Sequence, residues 1–258
     1  MNTSSTGGTQ AVARAAALLR EIAASGAQGG SLAELASRLD LERPTAHRIL
    51  QRLVLEGLVQ QDPALRSYTL GPLLYELGLA AKPPRLLHGL ANAALVMLAR
   101  ESGDTAFAMV QSGMDSLCID RQEGSYPVKA LMMDPGRRRP MGTGSGSLAM
   151  LGAMPADKAQ QILEANALRL QVGGEATLVE LREVIAQARS DGFVVRAPRD
   201  APEILSVGLA VCNAYGTPVL ALSISALRFR IEQRQELLLA LLRQAQAELE
   251  KSLRTAAN

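Results

Sequence analysis

The run RPTAHRILQRLVL, from Arg43 to Leu55, holds three arginines and no acidic residue. Apolar Ala46, Ile49, Leu50, Leu53 and Val54 recur in it at helical spacing, which buries one face of a helix. The opposite face then presents Arg43, Thr45, His47, Arg48, Gln51 and Arg52. Guanidinium groups neutralise phosphates and release counterions, and Thr, Gln and Arg reach base edges from the first turns of a helix in the major groove. A solvated helix with a chance run of arginines would carry the same residues, so the surrounding elements have to decide. Seven arginines balance seven acidic residues over the first 80 positions, so the positive charge is placed rather than diffuse.

A second group of residues lies in MGTGSGS, from Met141 to Ser147. Glycines ahead of a helix expose backbone N–H groups at its positive end, and such a turn can hold a small anion such as a carboxylate. Thr143, Gly144, Ser145 and Gly146 are the candidates there. No Lys-Ser or Lys-Thr follows, which excludes a Walker A loop, and the run is too compact for a dinucleotide fingerprint. A flexible loop that uses glycine only for turning fits the same string. Further on, Ser223 and Ser225 alternate with Leu222, Ile224 and Ala226. On a strand the two hydroxyls share a face, suited to a carboxylate or hydroxyl ligand or to solvent.

Other chemistries fit less well. Ser145 stands in GTGSG, which lacks the G-x-S-x-G order of a nucleophile turn. His47 sits on the arginine-bearing helix and His88 opens another helix, so neither has the partnered, pocketed setting of a general base. Cys118 lies in a strand-like run and reads as core. With Cys118 and Cys212 far apart and two histidines, no metal-ligand cluster is expected, nor a disulfide framework or a cofactor. The first ten residues read as a disordered lead with no signal-peptide pattern. The charge-free stretch from Ile204 to Leu227 contains Asn213, Gly216 and Pro218, so it reads as two strands and a turn rather than a membrane span.

These residues need a scaffold, and 258 residues with 48% hydrophobic side chains suit two small domains or one larger one. A net charge of +2 is too small to argue for nucleic acid at the level of the whole chain. A first helix runs through Val12, Leu19 and Ile22 to Gly26. Ser31 with Glu34 forms a capping box for a short second helix, and Pro44 and Gly57 bracket the third. Leu58–Gln61, the turn DPALRS and Tyr68–Leu70 predict a hairpin. Three helices and a hairpin make a winged helix-turn-helix over 11–71. The helical stretch PLLYELGLAAK links it, over 72–84, to a domain at 85–258 that begins beyond Pro83-Pro84. That domain reads as an antiparallel sheet flanked by helices. TAFAMVQS, SLCIDR, PVKALMM, FVV, LSVGLAV and PVLALSIS are its expected strands, LAMLGAM begins a helix, and IEQRQELLLALLRQAQAELEKSL closes the chain.

In this order and spacing, AVARAAALLREIAASG, SLAELASRLDLERPTAHRILQRLVLEGLV, RSYTLGPLLYELG, RESGDTAFAMVQSGMDSLCIDR, MGTGSGSLAMLGAMP, SDGFVV and LALSISALRFRI resemble the IclR family of bacterial transcription regulators. The resemblance implies an α+β chain: an N-terminal winged helix-turn-helix, a linker helix and a C-terminal GAF-like effector-binding domain. It also implies dimers or tetramers that bind operators. Thr45 and Arg48 fall where the family's recognition helix carries Thr and Arg, whereas Pro44 replaces a commoner Ser. Ser145 and Gly146 align with loop positions whose backbone meets the ligand. Asp200, Ser223 and Ser225 align with polar pocket positions, and Ser147-Leu148 stands where the family has Gly-Lys.

The expected function is that of a cytoplasmic, non-enzymatic regulator. It would bind double-stranded operator DNA through Arg43, Pro44, Thr45, His47, Arg48, Gln51 and Arg52, with Arg66 in the wing loop against the backbone. A small organic acid or related metabolite would be its effector. The competing class is a metabolite-binding protein or enzyme that uses its winged helix for protein contacts.

Overall fold

In the computed structural model, residues 7–26, 28–80, 85–174 and 176–255 are described. The chain divides into two compact units, Met1–Pro84 and Arg85–Asn258.

The first unit contains α1 (Gly7–Ala24), β1 (Gly30–Ser31), α2 (Leu32–Arg38), α3 (Arg43–Leu55), β2 (Val59–Gln61), β3 (Ser67–Leu70) and α4 (Pro72–Ala80). Residues 7–10, expected in a disordered lead, are helical, because lengthening a nucleated helix adds a bond for each residue fixed. Residues 1–6 of that lead lie outside the described residues. Both halves of the α2 capping box form. The Glu34 carboxylate accepts from Ser31 N at 2.9 Å, and Ser31 Oγ accepts from Glu34 N at 3.3 Å. Pro44 occupies the second position of α3, where no intrahelical bond is lost, and Gly57 ends the helix at φ +71°. The strand pair β2–β3 gains a third member, β1, paired through Gly30 with Tyr68, too short to show an alternation in sequence. Leu18, Ile22, Leu35, Leu50, Leu53, Val59 and Tyr68 close the core beneath α3.

The second unit contains α5 (Arg85–Ser102), β4 (Thr105–Ser112), β5 (Asp115–Gln122), β6 (Arg138–Pro140), α6 (Gly144–Ala153), α7 (Ala156–Val172), α8 (Leu178–Asp191), β7 (Val194–Arg196), β8 (Ile204–Cys212), β9 (Pro218–Leu227) and α9 (Arg228–Thr255). Among the described residues its sheet has six antiparallel strands in the order β6-β5-β4-β9-β8-β7. Strand alternation divides the core between its two faces. Ala106, Ala108, Val207, Leu209, Leu222 and Ile224 meet α5 and α9, while Phe107, Met109, Ala210 and Ala221 meet α6 to α8.

PVKALMM is not a strand: residues 127–133 run irregularly, and the sheet edge is instead β6, paired with Asp115, Ser116 and Leu117. Met133 from that run is buried in the core of α6 to α8. Nor is GTGSGS a loop throughout. Gly144, Ser145 and Gly146 form the first turn of α6, with Thr143 at the cap position.

Every residue of α6 from Ser145 to Gly152 is buried, as befits a helix apolar on all sides. Small residues let it into that position. A Cβ at Gly208 of β8 would lie 2.8 Å from Gly146 N, and one at Gly152 would lie 2.8 Å from the Ala188 Cβ of α8. At the start of β4, the buried Asp104 carboxylate accepts from Arg230 at 2.8 and 3.2 Å and from Arg234 at 3.2 Å. Arg230 also lies 3.6 Å over the Tyr126 ring, so the start of α9 is tied to the sheet.

Candidate nucleic-acid interface and ligand pocket

On α3, Arg43, Pro44, His47, Arg48 and Arg52 are exposed, Thr45 and Gln51 are half-buried, and Ala46, Leu50 and Leu53 are buried. The two faces are those the helical period predicts. Arg52 differs from its neighbours, because its guanidinium pairs with Glu56 one turn on. Arg43 and Arg48 have no acidic partner among the described residues. Arg66 is exposed at φ +52° in the β2–β3 turn, and Asp62 Oδ1 accepts from the N–H groups of Ala64 and Leu65 to hold that turn.

The second site lies between the sheet and the N-terminus of α6. Register places Thr105, Ser225 and Ser206 in one row across β4, β9 and β8, and Phe107, Ser223 and Gly208 in the next. Both rows face α6, so Ser223 and Ser225 lie under a helix and not in solvent. A cavity of about 60 Å³ opens there, lined in part by Phe107, Met109, Met133, Arg139, Arg196 and Ser206. Thr143, Gly144, Ser145, Ser223 and Ser225 also line it. Ser206 and Ser225 bond each other at 2.6 Å. The Ser145 and Ser223 hydroxyls have no hydrogen-bond partner among the described residues. Thr105 Oγ1, in the row of Ser206 and Ser225, is buried and has no partner among the described residues.

Two sequence candidates stand outside this cavity. Gly146 packs against Met109 and Ala221, where a Cβ would meet the Met109 methyl at 2.2 Å. Asp200 is exposed and lines an adjoining groove with Arg139, Thr143, Arg169 and Arg199. Sequence reasoning missed Arg139, Arg196, Ser206, Phe107, Met109 and Met133. The β8 alternation in LSVGLAV held the one available signal, since Ser206 shares a face with Gly208. Ser147, which with Leu148 stands where the family has Gly-Lys, closes the turn. Its Oγ donates to Thr143 O at 2.7 Å and accepts from Gly142 N at 3.1 Å.

His47 and His88 are exposed and absent from the cavity lining. Among the described residues no cluster of His, Cys, Asp and Glu could hold a metal ion, and no helix is long and apolar enough to cross a membrane. Cys118 is buried on β5, its N–H donating to Arg137 O and its carbonyl accepting from Gly136 N. Burial pushes its thiol up to about 11.

Comparison with known proteins decides the identity. Residues 86–250 match the family described as bacterial transcriptional regulator IclR C-terminal, and residues 11–63 match the IclR helix-turn-helix domain. The chain belongs to the IclR family. It is therefore a DNA-binding transcriptional regulator. Curated relatives of this IclR-family chain include the regulator BhcR of Paracoccus denitrificans, 27% identical over 87% of this chain and 80% of that protein. The transcriptional repressor IclR of Escherichia coli is 28% identical over 85% of this chain and 81% of its own length. The IclR-family fold is shared with a regulator from Alicyclobacillus acidocaldarius, at 24% identity and a TM-score of 0.77 over 94% of this chain and 98% of the other. An IclR homologue from Microbacterium hydrocarbonoxydans, crystallised with 4-hydroxybenzoate, matches at 20% identity and a TM-score of 0.74 over 95% and 99%.

Proposed function

We propose that this IclR-family regulator reads a near-palindromic operator with α3 and is switched by a small organic acid held in the serine-lined cavity. The observation that carries the DNA reading is the outer face of α3, where Arg43 and Arg48 stand exposed, with no acidic partner among the described residues, beside Thr45, His47 and Gln51. Pro44 begins that surface, Arg52 contributes less, and Arg66 meets the backbone from the wing. Tyr75 and Leu77, exposed on α4, supply apolar surface for the self-association into dimers or tetramers that a two-fold operator requires.

The effector reading is supported by Thr143, Gly144, Ser145, Ser223 and Ser225 around one cavity, and by the homologue that binds the carboxylate 4-hydroxybenzoate. Gly146 contributes by letting α6 pack against the sheet, and Asp200 from the adjoining groove. The protein works in the cytoplasm, binds its effector without turning it over, and needs no metal or cofactor. Replacing Arg48 and Gln51 together with Ala should abolish the mobility shift of the protein's own promoter DNA, because each base contact is worth about 1–3 kcal/mol. A variant with an unchanged melting curve and undiminished binding would remove α3 from the interface.

A further inference from the structure

We propose that Arg139 is the anion-binding residue of the cavity. The effector then enters with its carboxylate towards Arg139 and a second oxygen, hydroxyl or carbonyl, towards Ser145 and Ser223. This inference rests on the cavity being the effector site.

Arg139 belongs to the short edge strand β6, is half-buried, and lines both the cavity and the adjoining open groove. Bordering both, it stands at the cavity's mouth. One guanidinium nitrogen donates to Met132 O at 2.8 Å, and no carboxylate among the described residues lies within ion-pair distance. The nearby arginines of the groove are otherwise engaged, Arg169 with Asp115 at 2.7 Å and Arg199 with Glu180 at 3.1 Å. A partly desolvated guanidinium with unused donors matches the two oxygens of a carboxylate. Arg196 lines the same cavity, and no acidic side chain among the described residues lines it.

At the α6 end the chemistry is neutral. Ser145 and Ser223 are 2% and 3% exposed, and their hydroxyls have no hydrogen-bond partner among the described residues. Both hydroxyls border the cavity, where one ligand oxygen can bond to each of them. Phe107, Met109 and Met133 complete the lining with apolar surface for the carbon skeleton. The cavity of about 60 Å³ holds roughly four to six water-sized groups. A short carboxylate bearing a second oxygen meets all of these conditions.

The test uses the full-length protein, with calorimetry and thermal shift, and propanoate, lactate and 2-oxobutanoate as probes beside their neutral amides. In the unmodified protein the acids should bind at least about tenfold more tightly than the amides. Arg139→Met should weaken the acids about ten- to a hundredfold and erase the preference for acid over amide. Arg139→Lys, which keeps the charge, should restore part of it and shows that lost folding is not the cause. Ser223→Ala should bring lactate and 2-oxobutanoate down to the level of propanoate while preserving that preference. If Ser223→Ala weakens binding but Arg139→Met leaves the acid preference intact, the role of Arg139 is overturned and the cavity stands. If no acid binds the unmodified protein, or binding ignores both positions, the cavity reading falls and this inference with it.

Discussion

Among the three arginines of α3, the structure separates Arg52 from Arg43 and Arg48, because Glu56 partly neutralises it. Such a pair is exposed and worth little to stability, yet it competes with phosphate for the same guanidinium. Arg48→Ala should therefore lower the slope of log affinity for operator DNA against log salt by about one, and Arg52→Ala by clearly less. Titrations at several salt concentrations would measure both slopes, and equal slopes would mean that Glu56 releases Arg52 on binding. The apolar period of RPTAHRILQRLVL was legible in the sequence, as was the arginine run. Glu56, one residue beyond the run, was the available sign that its charge is not all free. Arg139 was harder to see, because it sits in a run of three arginines and only the fold turns one of them towards the cavity.

Elements were legible where a period or a cap marks them. Capping boxes open α2 and α8, the leucines of α9 repeat at helical spacing, and Ser223 and Ser225 alternate with apolar neighbours on β9. PVKALMM misled because Met132 and Met133 pack around α6 without any ladder of hydrogen bonds, while Val128 and Leu131 are exposed. The GTGSG string read as a loop because glycine is a poor helix former, and here tertiary packing overrides that preference. Gly208 is what permits it. A Cβ there would stand 2.8 Å from Gly146 N and 2.9 Å from Ser145 Oγ, so the first turn of α6 would have to move. Gly208→Ala should cost about 1–3 kcal/mol, as overpacking in a filled core does, and should weaken acid binding beyond that loss. Denaturant melts with effector titrations would check it, and wild-type stability in the variant would show that α6 is free to shift.

At the scale of the whole molecule, a unit that reads DNA and a unit that holds a ligand cavity function together only through linkage. Whatever factor the effector applies to operator affinity, operator must apply to effector affinity. A sensor of this kind also depends on how often its cavity-bearing unit opens by itself. Cys118 offers a clock for that opening. Its thiol, pushed up to about 11 by burial, is ionised in only about one molecule in ten thousand at neutral pH. It also lies on β5 against the segment that leads into Arg139. In a Cys212→Ser background, iodoacetamide should react with Cys118 only through exposed states. Bound effector should slow the reaction further, because it stabilises the closed form by mass action. Mass spectrometry over hours would read the rate, and fast labelling of the native protein would show that β5 opens without unfolding. The buried thiol thus becomes a stopwatch for the sensor, able to report an unknown effector by how long it keeps the strand shut.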